Sequence, residues 1–250
     1  MRVDFETDVG AVRSSNQDSC DCGLFSPNSA WVIVCDGMGG ANGGNVASAI
    51  AVETIREQLL SGYDENLSKP NLKNLMINAI NRANEEVHRV SLERPELHGM
   101  GTTVVCGVCR GGMLQYAHVG DSRIYLFHGH SICQLTKDHS IVQELVEKGS
   151  ITAEEAAFHP RKNLITRALG VGPQVEIDFG EIVLSPGDIL VLCTDGLSNY
   201  VTVDEMEEII QNTAFYEMAD ALVDRALKAG GLDNVTVLLA KCDATEENNG

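Results

Sequence analysis

No stretch of this 250-residue chain approaches the roughly 18–20 consecutive apolar residues of a membrane span. The opening residues, Met1-Arg2-Val3-Asp4-Phe5-Glu6, also lack the apolar core of a secretory signal. These absences predict a soluble, cytoplasmic protein without a membrane partner. Basic charge is scarce too: 18 Lys and Arg stand against 36 Asp and Glu, a formal net charge of −18. That balance excludes nucleic-acid binding through a broad basic surface. No P-loop lysine and no EF-hand loop occurs, which disfavours nucleotide binding and a Ca²⁺-binding structural domain. A dinucleotide fingerprint read from Gly37 would need a sixth-position glycine where Asn42 stands.

Cysteine, by contrast, occurs eight times. Cys106 and Cys109 have the C-x-x-C spacing, but no second pair follows at zinc-ribbon distance. They lie in an apolar run, where strand alternation sends residues i and i+3 to opposite faces. The cysteines are expected to be reduced structural thiols that pack as small hydrophobes.

One small design is present twice: an apolar run that stops at Asp-Gly. Trp31–Cys35 leads into Asp36-Gly37, and Ile189–Thr194 leads into Asp195-Gly196. Both runs read as buried strands that deliver a carboxylate to the rim of a core. Asp18, Asp121 and Asp233 sit beside turns elsewhere. Gathered, the five would form a hard-oxygen site for Mg²⁺ or Mn²⁺, the cation offsetting their mutual repulsion. Separately, each would be a turn residue bonding its own backbone. Spacing alone leaves both readings open.

A glycine-rich turn is expected at Gly39–Gly44, then helices from Val46 and from Pro70, the second stopping by Pro95. Short strands at 102–109, 113–119, 122–127 and 131–135 are separated by Gly-bearing turns and predict an antiparallel meander. Residues 139–170 are polar, with two short helices, and read as an insertion over the sheet. Strands at 175–183 and 188–193, helices at 203–212 and 216–229, and a strand at 235–240 complete the pattern. Capping boxes are expected at Thr152/Glu155 and Thr202/Glu205. The fold class is α+β: two antiparallel sheets forming a central β-sandwich, flanked by helices on both sides in four αββα layers. Residues 1–242 are expected to form one domain, with 243–250 an acidic, frayed tail.

The ordered segments Arg13-Ser-Ser-Asn16-Gln17-Asp18, Asp36-Gly37-Met38-Gly39-Gly40, Gly101-Thr102-Thr103, Gly120-Asp121-Ser122-Arg123, Thr194-Asp195-Gly196-Leu197 and Asp233-Asn234-Val235-Thr236-Val237 resemble the motif series of the PPM-type metal-dependent protein phosphatases, the type 2C serine/threonine family. Lys137-Asp138-His139-Ser140 and Asn163–Gly170 make the bacterial single-domain branch the nearer match. The resemblance implies hydrolysis of phosphoserine and phosphothreonine on proteins by a metal-bridging hydroxide, in opposition to a serine/threonine kinase. Asp36 would bridge two Mn²⁺ or Mg²⁺ ions and the Gly37 carbonyl would bind one. Asp195 and Asp233 would complete the other, Asp18 would act through metal-bound water, and Asp121 with Asp195 would hold a third. Arg13 would grip the phosphate. No phosphoenzyme is implied, and no C-x₅-R signature of cysteine-dependent phosphatases is present. Residues 139–170 would be the flap bordering the site, and the protein is expected to be a monomer.

The general acid stays unassigned. Met38 and Ala41 stand where relatives of this type carry a histidine, and His139 and His159 are only candidates by position. That gap keeps an alternative: a catalytically impaired member serving as a phosphoprotein-binding module.

Overall fold

In the computed structural model, which describes residues 1–243, the chain opens with β1 (Arg2–Asp8), β2 (Asp18–Ser26) and β3 (Ser29–Met38). Helices α1 (Gly40–Gly62) and α2 (Lys69–Glu93) follow, then β4 (Gly101–Thr102), β5 (Val104–Arg110), β6 (Met113–Val119), β7 (Arg123–His128) and β8 (Ser131–Gln134). The flap carries α3 (Ile141–Glu147) and α4 (Ala153–Ala157). Next come β9 (Asp178–Val183), β10 (Ile189–Cys193), α5 (Asp195–Ser198), α6 (Val203–Asn212), α7 (Phe215–Lys228) and β11 (Val235–Lys241).

Strand alternation builds the layers. Trp31, Ile33 and Cys35 of β3 pack with Ala47, Ile55, Met76 and Ile80 of α1 and α2. Val32 and Val34 face the other way, meeting Val105, Ile124, Leu190, Leu192 and Leu238. In β10, Ile189, Val191 and Cys193 pack on Met206, Leu222 and Ala226 of α6 and α7. Both faces of these strands are covered, which is why their sequences are continuous apolar runs. One sheet has the order β1-β11-β10-β7-β8 and the other β2-β3-β5-β6-β9, with β4 added to β3. All named pairs are antiparallel. This is the expected α+β sandwich with helices on both sides.

Local signals hold where they rest on caps. Ser68 accepts from Asn71 N at the start of α2, and both capping boxes form. Other expectations change. The predicted meander is split: β5 and β6 belong to one sheet, β7 and β8 to the other, and Gly120-Asp121-Ser122 crosses between them. The predicted turn at Gly39–Gly44 is mostly helix, since α1 begins at Gly40. Gly39, at φ 120°, makes the sharp change of direction that a side chain disfavours. Two N-terminal strands, β1 and β2, were not expected, and β9 begins at Asp178 rather than 175.

Cys106 and Cys109 do fall in different layers, the first among the helix-facing residues and the second between the sheets. Cys133 is exposed, however, because it lies on the edge strand β8. Asp243, first residue of the expected frayed tail, is held by Arg2 at 2.7 Å and by the N-terminal amine at 3.3 Å; residues 244–250 lie outside the described residues.

Candidate active site

The sandwich brings every strand end that carries a key Asp to the same edge. Asp36 lies at the end of β3, and Asp18 at the start of β2 is its cross-strand partner. Both share the inter-sheet face, since Asp36 follows the parity of Val32 and Val34. Cys193, which ends β10, pairs with Arg123 of β7 and Val237 of β11, so Asp121, Asp195 and Asp233 reach that edge too.

A cleft of about 500 Å³ opens there. Its walls include Arg13, Asp36, Gly37, Asp121, Asp195 and Asp233, so six of the seven predicted site residues converge on it. Asp18 does not line the cleft; it is buried behind it, at 8 % exposure. Its Oδ2 accepts from Thr194 Oγ1 at 2.9 Å and Thr236 Oγ1 at 2.7 Å, while its buried Oδ1 has no hydrogen-bond partner.

The carboxylates repel one another in a drying environment. Burial, then Asp18, Asp195, Asp121 and Asp233, holds Asp36 well above the ordinary carboxylate range. Burial is also the main cause that pushes Asp18 and Asp121 up to about 7, with Asp195 adding to both. Asp195 rises to about 6, through burial and Asp233, partly relieved by Arg123, Arg13 and Lys162. Like charges directly opposite across a ladder are destabilising by themselves.

Two arginines lie close, but both are engaged. Arg13 Nη2 donates to Asp233 Oδ2 at 2.8 Å. Arg123 grips Asp138 in a fork, Nε to Oδ1 at 3.0 Å and Nη2 to Oδ2 at 2.7 Å. An orphaned buried oxygen and an oxygen-only, acidic donor set fit hard divalent cations such as Mg²⁺ or Mn²⁺.

The surrounding motif residues explain themselves in the structure. Thr103 Oγ1 accepts from Asp36 N at 2.9 Å, and Thr102 Oγ1 donates to Asp36 O at 2.8 Å. Asn234 ties the N-terminal loop down: its Oδ1 accepts from Gln17 N at 2.8 Å, and its Nδ2 donates to Ser15 O at 3.0 Å. Asn199 Nδ2 donates to Asp195 Oδ2 at 3.0 Å. Thr103, Thr194, Thr236 and Asn234 were given no role in the sequence reading. The available signal is their presence within the motif segments.

The flap borders the cleft. Asn163 and Ile165 reach the cleft wall, and the flap's ends meet where Thr166 N donates to His139 O at 2.8 Å. Among the described residues no histidine lines the cleft. His139 is buried, with Nδ1 accepting from Gly120 N at 3.1 Å. His159 Nδ1 accepts from Arg161 N at 3.1 Å.

A second group of ligand-type atoms lies apart: His118, His139 and Asp178 offer atoms within 4.8 Å of one another. Arg167 already supplies positive charge there, 2.8 Å from Asp178 Oδ1 and 3.1 Å from His139 Nε2. That guanidinium already bonds two of the three groups.

A family model described as protein phosphatase 2C matches residues 11–234. The chain is 39% identical over 251 residues to the serine/threonine phosphatase stp of Listeria monocytogenes, covering 99% of this chain and 98% of that one. Among solved structures it is similar to the Mycobacterium tuberculosis serine/threonine phosphatase PstP/Ppp, with a TM-score of 0.89, 36% identity, and coverage of 97% and 99%. It also resembles the catalytic domain of PstP in complex with two manganese ions, with a TM-score of 0.85, 34% identity, and coverage of 97% and 98%. With this match over the length that carries all five carboxylates, the chain belongs to the protein phosphatase 2C family.

Proposed function

We propose that this protein is a metal-dependent phosphatase that hydrolyses phosphoserine and phosphothreonine in proteins. The observation that carries the reading is the convergence of four Asp residues and Arg13 on one cleft, with a fifth, Asp18, buried behind it with an unpartnered oxygen. Asp36, the Gly37 carbonyl, Asp195 and Asp233 would hold two Mn²⁺ or Mg²⁺ ions. Asp18, buried behind the cleft, would act on the site through water, and Asp121 with Asp195 would hold a third ion. When bound, such ions lower the pKa of water to give a nucleophile and offset charge on the phosphoryl oxygens.

The chain's own residues orient the reaction. Thr102 and Thr103 fix the Asp36 backbone, and Thr194 and Thr236 fix Asp18 Oδ2. Arg13 is half exposed and, among the described residues, hydrogen-bonded to Asp233 alone, so its fork can turn to an incoming phosphate. Among the described residues no cysteine lines the cleft, so a cysteinyl phosphate has no nucleophile there.

The carboxylates come from both sheets, which supports residues 1–242 acting as one catalytic domain. Among the described residues, no helix is long and apolar enough to cross a membrane. We place the enzyme in the cytoplasm as a monomer, opposing a serine/threonine kinase. The test is phosphate release from a phosphothreonine peptide with Mn²⁺ or EDTA. Turnover is expected only with Mn²⁺, and Asp36→Asn is expected to lower it by about 10²–10³-fold. Equal turnover in EDTA, or an unaffected variant, would overturn the reading.

A further inference from the structure

Beside the catalytic cleft a second pocket of about 220 Å³ opens beneath the flap. The two share Asp121 and Asp195, so they adjoin at those side chains. Val142 and Val146 of α3 and Ala153, Ala156 and Ala157 of α4 form its outer wall. No residue of either helix is buried. These apolar side chains therefore line a space without being covered by the core.

Of the charges that line the pocket, Arg123 and Asp138 satisfy each other through their fork, Asp121 and Asp195 belong to the carboxylate cluster of the cleft, and Lys162 partly offsets Asp195. The small Val and Ala side chains leave room for an aliphatic group. An extended peptide advances about 3.3–3.6 Å per residue. A substrate whose phosphoryl group sits among the cleft carboxylates thus carries its next side chains into this neighbourhood.

We propose that this pocket is a specificity subsite that takes an aliphatic side chain (leucine, isoleucine or methionine) flanking the phosphorylated residue of the substrate. The proposal rests on the phosphatase reading above. The apolar wall would be covered when that side chain enters, so substrates would be chosen by burial next to the phosphate rather than by charge.

The experiment uses the full chain with Mn²⁺ and a phosphothreonine peptide of otherwise alanine, glycine and serine residues. One leucine, and separately one aspartate, is moved through the two positions on either side of the phosphothreonine. In one position leucine is expected to raise kcat/KM by about tenfold over alanine, the low end for filling an apolar pocket. The Ala156→Leu variant, which fills the pocket from within on a solvent-facing helix, is expected to bring that ratio close to one. Equal rates for leucine and alanine peptides at all four positions, or a preference for aspartate, would overturn the subsite while leaving the phosphatase reading intact. A leucine preference unchanged in Ala156→Leu would also overturn it. Failure of the parent enzyme to hydrolyse any peptide would instead strike the phosphatase reading.

Discussion

Removing one charge from the metal site should stabilise the metal-free protein. Asp18 is buried, and its carboxyl is pushed up from 3.8 to about 7, chiefly by burial and further by Asp195 and Asp233. Between those values the native state keeps a proton that the unfolded chain has released, so stability falls as pH rises through that window. At about 1.4 kcal/mol per pKa unit, the penalty is on the order of 4 kcal/mol above pH 7 and roughly 1–2 kcal/mol near pH 5. In Asp18→Asn the amide oxygen can accept from Thr194 and Thr236, but its NH₂ then occupies the place where Oδ1 has no partner. An unpaired buried donor costs about 1–3 kcal/mol. In EDTA the variant should therefore be more stable than the parent by about 2 kcal/mol near pH 8, and about equal to it near pH 5. For a domain of this size the gain corresponds to a Tm rise of about 4–8 °C. Saturating Mn²⁺ should reverse the order, because a hundredfold excess over Kd stabilises the parent by about 2.7 kcal/mol and the variant binds the ion less well. Thermal denaturation at the two pH values, in EDTA and in Mn²⁺, checks this. A variant less stable than the parent in EDTA near pH 8, or a difference that does not change with pH, would refute it.

Two further outcomes concern the groups around the carboxylates. Thr103→Val keeps the shape but removes the hydroxyl that accepts from Asp36 N and meets Ser122 Oγ at 2.7 Å. It should lower Mn²⁺ affinity or activity by about 10–100-fold, read from a Mn²⁺ titration of turnover; an unchanged titration would make Thr103 mere packing. Arg13→Lys keeps the charge and loses the planar fork, so KM for a phosphothreonine peptide should rise by about tenfold. A fall in kcat at constant KM would contradict the phosphate-gripping role.

Layers and caps could be read from this sequence because they depend on neighbours along the chain. Trp31–Cys35 and Ile189–Cys193 are apolar on both strand faces and must be covered on both, which already requires a four-layer stack. Thr202 and Glu205 close a capping box within four residues. What could not be read depends on partners far away. The apparent meander at 102–135 has uniform turn chemistry, and nothing local says that Gly120-Asp121 passes from one sheet to the other. β1 is an edge strand whose residues are half-buried or exposed, so its sequence lacks the apolar run that marks the central strands. The five Asp residues were visible, but their convergence was not, because it is made by the register that sets Asp18 opposite Asp36 and Cys193 opposite Arg123.

The two Asp-Gly pairs show how backbone packing and ligand chemistry become one sequence signal. A Cβ on Gly37 would fall 2.0 Å from the Gly44 carbonyl oxygen, and one on Gly196 would fall 1.9 Å from that of Asn234. In each case a second segment is pressed against the residue just after the carboxylate. The first turn of α1 closes on β3, and the start of β11 closes on α5. A side chain there would push these segments apart by an ångström or more. Asp36 would then part from Gln17 and its neighbour Asp18, and Asp195 from Asn234 and its neighbour Asp233. Glycine is thus required at both places by the closeness that lets separate strands share one cluster of charge. That same closeness raises the carboxyl groups out of their ordinary range and leaves Asp18 Oδ1 without a partner. The repeated dipeptide marks the two places where the fold accepts that strain, and a divalent cation is the kind of partner that relieves it.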